Sequence, residues 1–279
     1  MYINLYRYIG MKSLVWAWII LLAFLISSCR DTFDHSVFSA EVPSEYRDLR
    51  ANKFQKLQKE MSNPEDTASF KIALISDSHT RYDDLQDAIN AINVDPDIKF
   101  ILHGGDMTDG GMLAEFMLFQ VIMQQLRQPY FTVIGNHDCL ANGLGIYEDM
   151  FGPEYYSFVA GNCKFIFFND VIWELQFREP DYFWLSKELA DHGNYSHIFV
   201  IAHIAPYSDS FTPLQQEVYS SMMDTSNVSI SVHGHHHNHE YSEHYHDGVM
   251  YITIGAVYKR YYVTLDISPD TMIMERIKF

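Results

Sequence analysis

Five clusters of Asp, Asn and His punctuate the middle of this sequence, and each arrives directly behind an apolar run. They are Asp77-Ser78-His79, Gly105-Asp106 with Asp109 three residues on, Gly135-Asn136-His137-Asp138, His203 by itself, and Gly234-His235-His236-His237. Carboxylate, amide and imidazole groups can ligate cations, and imidazole also moves protons near neutral pH. Asp77, His79, Asp106, Asn136, His203, His235 and His237 supply more donors than one tetrahedral cation uses. They suit two cations that share a carboxylate, and ions ~3.5–4 Å apart recur where phosphate esters are cleaved.

Such donors must be brought together by the elements they end. The apolar runs 71–75, 99–102, 130–134, 198–202 and 228–232 read as buried strands. Residues 84–92 and 113–126 carry helical apolar spacing between the first three runs. Strand–helix–strand order implies parallel strands with crossover helices, and ligands in such sheets bind at the carboxyl ends of the strands. Further helices are predicted over 44–61 and 181–191, and a hairpin over 155–159 and 164–168 about Gly161-Asn162. Antiparallel strands are predicted over 249–255, 261–267 and 272–278.

The chain has 279 residues, 48% hydrophobic and 15% aromatic, enough for one sizeable core. A formal net charge of −17 argues against the nucleic-acid backbone as a partner. It leaves a phosphorylated substrate open, because bound cations reverse the sign of a pocket. Residues 14–26 are an apolar run after Lys12 that falls short of a membrane span and sits where a secretory segment would. The run ends Leu25-Ile26-Ser27-Ser28-Cys29, which resembles a bacterial lipobox with Cys29 as the lipidated residue. The expected organisation is a signal peptide over 1–28, a tether over 29–43 and one domain over 44–279. The expected place is the bacterial cell envelope, lipid-anchored through Cys29 on the periplasmic or outer-membrane face. Of the remaining cysteines, Cys139 and Cys163, a bridge and two buried thiols are equally compatible with the sequence.

In order, Asp77-x-His79, Gly105-Asp106-x-x-Asp109, Gly135-Asn136-His137-Asp138, His203 and Gly234-His235-x-His237 resemble the motifs of calcineurin-like metallophosphoesterases. The resemblance spans roughly 70–240. It implies an α/β fold, a four-layer α-β-β-α sandwich of two mixed sheets (the metallo-dependent phosphatase fold). Carried over residue by residue, it implies one ion on Asp77, His79, Asp106 and His237. A second ion would lie on Asp106, Asn136, His203 and His235, with Asp106 shared. The ions of the family are iron, zinc or manganese. The implied reaction is hydrolysis of a phosphomonoester or phosphodiester by a bridging hydroxide, on a small-molecule or lipid-linked substrate. His137 matches the family's catalytic histidine and would protonate the leaving oxygen. Asp109 stands where, in one branch, an aspartate carboxylate holds that histidine and raises its imidazolium fraction. Purple acid phosphatases place a metal-binding tyrosine there, so the motif looks closer to bacterial cyclic-nucleotide and glycerophosphodiester hydrolases. Specificity in this fold would lie in 139–155, 170–180 and 204–225, read as loops.

Two rival readings draw on other features. Histidines at 233, 235, 236, 237, 239, 244 and 246 suit a periplasmic metal-capture protein. A catalytically silent scaffold of the same fold is the other, and His137 counts against it. His103 and His233 read as core histidines, while Tyr207, Phe211 and Trp173 read as core or as walls of the site. Substrate identity and oligomeric state have no signature in the sequence.

Overall fold

In the computed structural model the described residues are 39–62, 68–191 and 195–279. The expected signal segment, Cys29 and most of the expected tether lie outside them. Ala40–Phe279 make up one unit. Its strands are β1 Phe70–Ile75, β2 Ile98–His103, β3 Tyr130–Thr132, β4 Tyr156–Ala160, β5 Cys163–Phe167, β6 His197–Ile201, β7 Ile230–His233, β8 Glu240–Ser242, β9 Met250–Thr253, β10 Tyr261–Ile267 and β11 Met272–Lys278. The helices are α1 Leu49–Glu60, α2 Tyr82–Ile92, α3 Leu113–Met123, α4 Gly143–Phe151, α5 Tyr182–Leu189 and α6 Pro213–Thr225.

Two mixed sheets form, in the orders β11-β10-β1-β2-β3 and β4-β5-β6-β7-β9-β8. The period-two alternation of the strands explains why they stack. Ile72 and Leu74 of β1, with Phe100 and Leu102 of β2, point to one face and meet Phe165, Phe167, Phe199, Ile201 and Val232 of the other sheet. Their neighbours Ala73, Ile75 and Ile101 point outward onto Leu85, Ile89, Phe116, Phe119 and Tyr147 of α2, α3 and α4. On the second sheet Ile166, Val200 and Tyr251 face Leu185, Leu189, Tyr219 and Met223 of α5 and α6. Three apolar layers between four layers of elements give the α-β-β-α sandwich. Each strand buried on both faces reads as an unbroken apolar run. That is why β1, β2 and β6 were legible in the sequence.

Some elements differ from the sequence expectation. Two of the expected loops each contain a helix, α4 and α6. The start of α6 is a capping box, with Thr212 Oγ1 accepting from Gln215 N, Gln215 reaching back to Thr212, and Pro213 at the first position. Predicted antiparallel, β9 instead pairs parallel with β7, and only its other neighbour β8 runs against it. The first predicted helix is split: a 3₁₀ turn at Ser44–Tyr46 precedes α1. Arg50 of α1 stacks its guanidinium 3.4 Å over the Tyr156 ring and donates to the Pro153 carbonyl at 2.9 Å. Cys139 and Cys163 are both buried free thiols.

The core histidines carry a pH dependence. His103 is fully buried; Gly105 N–H donates to its Nδ1 at 3.2 Å, so the proton sits on Nε2, 3.0 Å from Ser78 Oγ. Burial, with a further push from His203, drives its pKa down to about 3. Protonation would aim a second N–H at Gly105 N–H. The unfolded chain titrates near the ordinary value of ~6.5 and binds the proton that the folded chain refuses. Stability from this group is therefore full above ~6.5 and falls as pH drops toward ~3, at up to ~1.4 kcal/mol per pH unit. Urea unfolding in chelator should give a steeper loss between pH 6.5 and 4.5 for wild type than for His103→Gln. Equal slopes would contradict this account.

Candidate metal centre

Every donor cluster lies just past the carboxyl end of a parallel strand: β1, β2 and β3 in one sheet, β6 and β7 in the other. Backbone bonds lock the loops to one another, Asp77 N to Gly105 O and His79 N to Asp106 O, both at 3.0 Å. Asp77, His79, Asp106, His235 and His237 all adopt left-handed backbone, φ between 46° and 68°. For residues other than glycine this costs ~1–3 kcal/mol each, and such strain persists only where the surroundings impose it. Gly135 explains the closeness of two of these loops. A Cβ there would lie 2.3 Å from Asp106 N and 2.2 Å from Asp106 Oδ1, so only glycine lets the two chains pass.

Beside a group of His79, Asp109 and His137, two larger or more buried donor groups result among the described residues, each with ligand atoms within 4.8 Å of one another: Asp77, His79, Asp106 and His237, and Asp106, His203 and His235. Asp106 belongs to both. Asn136 joins the second through Oδ1, 3.2 Å from His203 Nε2 and 3.1 Å from His235 Nδ1. In the first group, His79 Nε2 and His237 Nε2 are 3.2 Å apart, and His237 Nε2 is 3.4 Å from Asp77 Oδ1.

The remaining nitrogens decide which lone pairs face inward. His203 Nδ1 donates to Gly104 O at 2.7 Å, leaving Nε2 toward Asp106 Oδ2 at 3.3 Å. His79 Nδ1 donates to Thr108 O at 3.2 Å, with Asp109 Oδ1 at 3.1 Å. Tyr258 Oη lies 3.4 Å from His237 Nδ1. Acceptors to acceptors at these distances need a cation or a proton between them. The titrating groups respond accordingly. Burial would lower His203, but the charges of Asp106 and Asp77 outweigh it and lift the imidazole to about 10. Burial drives Asp77 up to about 7, with Asp106 pushing the same way. Burial acts upward on Asp106 too, yet His203, His137 and His79 hold it well below the usual carboxylate range. Hard oxygen and imidazole donors in this number fit a pair of first-row transition ions.

His137 lies beside the first group, its ring T-shaped to His79 with centroids 4.9 Å apart. Its backbone N–H donates to Asp106 Oδ1 at 2.9 Å. Its Nδ1–H donates at 2.8 Å to the backbone carbonyl of Asp109, which turns Nε2 outward. The hydrogen bond to the histidine thus comes from the Asp109 carbonyl, while its carboxylate reaches Thr80 Oγ1 and His79 Nδ1 and acts on His137 through its charge. Burial pulls the His137 pKa down, but the Asp109 carbonyl and the charges of Asp106, Asp138 and Asp109 raise it overall.

Asp138 had no assigned role in the sequence. Its buried carboxylate accepts from Gly135 N, Met107 N, Thr108 N and Thr108 Oγ1 at 2.9–3.2 Å, tying the second motif to the third. Asp170, also missed, is buried and accepts from His203 N and Ile204 N at 3.0–3.2 Å. Asp170 had no spacing signal, because its partners are backbone amides, whereas Asp138 stood in the third motif with its role open between orienting a neighbour and accepting backbone hydrogen bonds. A cavity of about 240 Å³ lined by Asn136, Asp170, Trp173, Glu174 and His235 opens beside the second group. Trp173 is an exposed part of that wall, whereas Phe211 is buried in the core. Tyr207 stacks on His244 with centroids 4.1 Å apart. His236 is exposed, His233 is buried, and among the described residues His236, His244 and His246 belong to no donor group.

A family model described as calcineurin-like phosphoesterase matches residues 70–249. No curated protein sequence matches the chain. Among solved structures, a dimetal phosphatase from Danio rerio superposes with TM-score 0.61 at 16% identity, covering 75% of this chain and 96% of that one. A purple acid phosphatase from yellow lupin seeds gives 0.62 at 17%, covering 75% and 51%. GAP50, the anchor in the inner membrane complex of Plasmodium, gives 0.58 at 15%, covering 76% and 85%. At these identities the likeness concerns the fold.

Proposed function

This chain belongs to the calcineurin-like phosphoesterase family, and we propose that it hydrolyses phosphomonoesters or phosphodiesters at a pair of bound cations. Asp77, His79, Asp106 and His237 would hold one ion. Asp106, Asn136, His203 and His235 would hold the other. The observation that carries the reading is the sharing of Asp106 between two donor groups, with the outward Nε2 of His137 beside them.

Bound there, the ions supply Lewis acidity, acidify coordinated water and neutralise phosphate oxygens, which lets a chain of net charge −17 accept an anion. The protein's own groups do the rest. The Asp109 carbonyl keeps the Nδ1 proton of His137 in place, so the imidazolium delivers its proton only from Nε2. That proton goes to the departing alkoxide oxygen as the ester P–O bond breaks. Hydrogen bonds from His79 and His203 to the Thr108 and Gly104 carbonyls fix both rings with a lone pair toward the ions. Asp138 holds Asn136 and His137 in register with Asp106 through the amides of 107, 108 and 135.

The test is turnover of para-nitrophenyl phosphate and of its bis ester by protein loaded with iron, zinc or manganese. Turnover of at least one ester is the expected result, and the ratio of the two rates assigns monoester or diester preference. Two bound ions per chain with no turnover would overturn the hydrolase reading in favour of a scaffold or a metal-capture protein.

A further inference from the structure

We infer that Glu174 is a positioning residue, a carboxylate that fixes which end of the Asn136 amide faces the second cation. The inference rests on the two-cation reading above. Asn136 Nδ2 donates to Glu174 Oε1 at 2.9 Å, while Oδ1 points the other way, to His203 Nε2 and His235 Nδ1. An amide's two ends are nearly the same size, and nothing steric prevents a half-turn of the group. Chemically the two ends are opposite. Because His203 Nδ1 is committed to Gly104 O, its Nε2 carries a lone pair when neutral. An NH₂ group turned inward would put N–H donors where the second cation needs an oxygen. Glu174 removes this alternative: a half-turn would set Oδ1 against a carboxylate oxygen and leave the NH₂ without its acceptor.

The loop that carries Glu174 is built to hold it there. At its start, Asp170 accepts from the backbone of His203 and Ile204. At its end, Arg178 pairs with the buried Glu154 at 2.7 Å. Between them the chain closes on itself, with Phe177 N donating to Ile172 O at 2.9 Å and Gln176 N to Trp173 O at 3.1 Å. Gln176 and Phe177 both take left-handed backbone, φ 59° and 60°. Three features therefore place one carboxylate against one amide: an anchor on the strand of a metal ligand, an ion pair, and a strained turn. Outer-sphere partners of this kind are worth ~10–100-fold in metal affinity.

The experiment is zinc and manganese titration calorimetry on metal-free full-length wild type, Glu174→Ala and Glu174→Gln, with metal-free melting temperatures alongside. Wild type should bind two ions. Glu174→Ala should lose ~10–100-fold in affinity for one ion and keep the other, with an unchanged metal-free melting temperature. In Glu174→Gln the side-chain carbonyl can still accept from Asn136, so the lost affinity should largely return. Wild-type affinity for both ions in Glu174→Ala would overturn the proposal. So would equal weakening of both ions with a lowered metal-free melting temperature, which marks a purely structural loop residue. A wild type that binds a single ion would overturn the two-cation reading, and this inference with it.

Discussion

An Asp106→Asn chain should retain its fold but lose the ability to keep two ions, and hydrolysis should fall by ~10³ or more. The prediction follows from position. Oδ2 lies 3.3 Å from His203 Nε2 and 3.8 Å from His79 Nε2, so one side chain serves both donor groups. Asparagine keeps the shape and still accepts from His137 N–H, but it removes the shared negative charge. Charge stabilisation by a metal pair is worth several kcal/mol, and every ~1.4 kcal/mol is tenfold in rate. Metal content after desalting, read with steady-state rates and circular dichroism, checks it. Two tightly held ions and a rate within tenfold of wild type would remove Asp106 from the shared position.

His137→Ala should separate catalysis from metal binding. No ligand atom of the two groups that share Asp106 is lost, so both ions stay, while the rate falls by ~10²–10⁴ for an ester with an alkyl leaving group. Para-nitrophenolate needs little help from an acid, and its ester should lose less. Asp109→Asn supplies the contrast. The bond to His137 Nδ1 comes from the Asp109 carbonyl, which any residue provides, so the leaving-group dependence should persist, while loss of the carboxylate charge should move the loss of the His137 proton to lower pH. His137→Ala that loses an ion, or that slows both esters alike, would contradict the proton-donor role.

On the proposed reading the two variants would divide the site. Asp106 would act through charge at the point where strands of one sheet face a histidine from the other. His137 would act through a proton, its direction fixed by a backbone carbonyl 28 positions away in the chain. The Asn136 amide, between them, depends for its direction on a loop that carries no motif.

The donors were legible as residue types behind apolar runs, because chain chemistry at a strand end leaves a local signature. So was the alternating strand–helix order over 70–135, whereas the four-layer sandwich was implied only by the family resemblance. Helices α4 and α6 were missed for different reasons. The first opens with Gly143 and Gly145, which mask its apolar spacing, although Ile146, Tyr147, Met150 and Phe151 are all buried. The second displayed a readable start signal, Thr212-Pro213-x-Gln215, that the reading of 204–225 as a loop passed over.

By itself the sequence determined the candidate donors and the order in which strands deliver them, because hydrophobic period and ligand type are properties of short segments, while the sandwich fold entered through the family resemblance. Tertiary structure alone decided which nitrogen of each histidine faces inward, which atom of Asp109 serves His137, and that Asp138, Asp170 and Glu174 belong to the site. Those choices are made by carbonyls, amides and carboxylates that meet across loops 28 or more residues apart. A backbone carbonyl is the same in every residue, so only the fold can say which one a histidine will find.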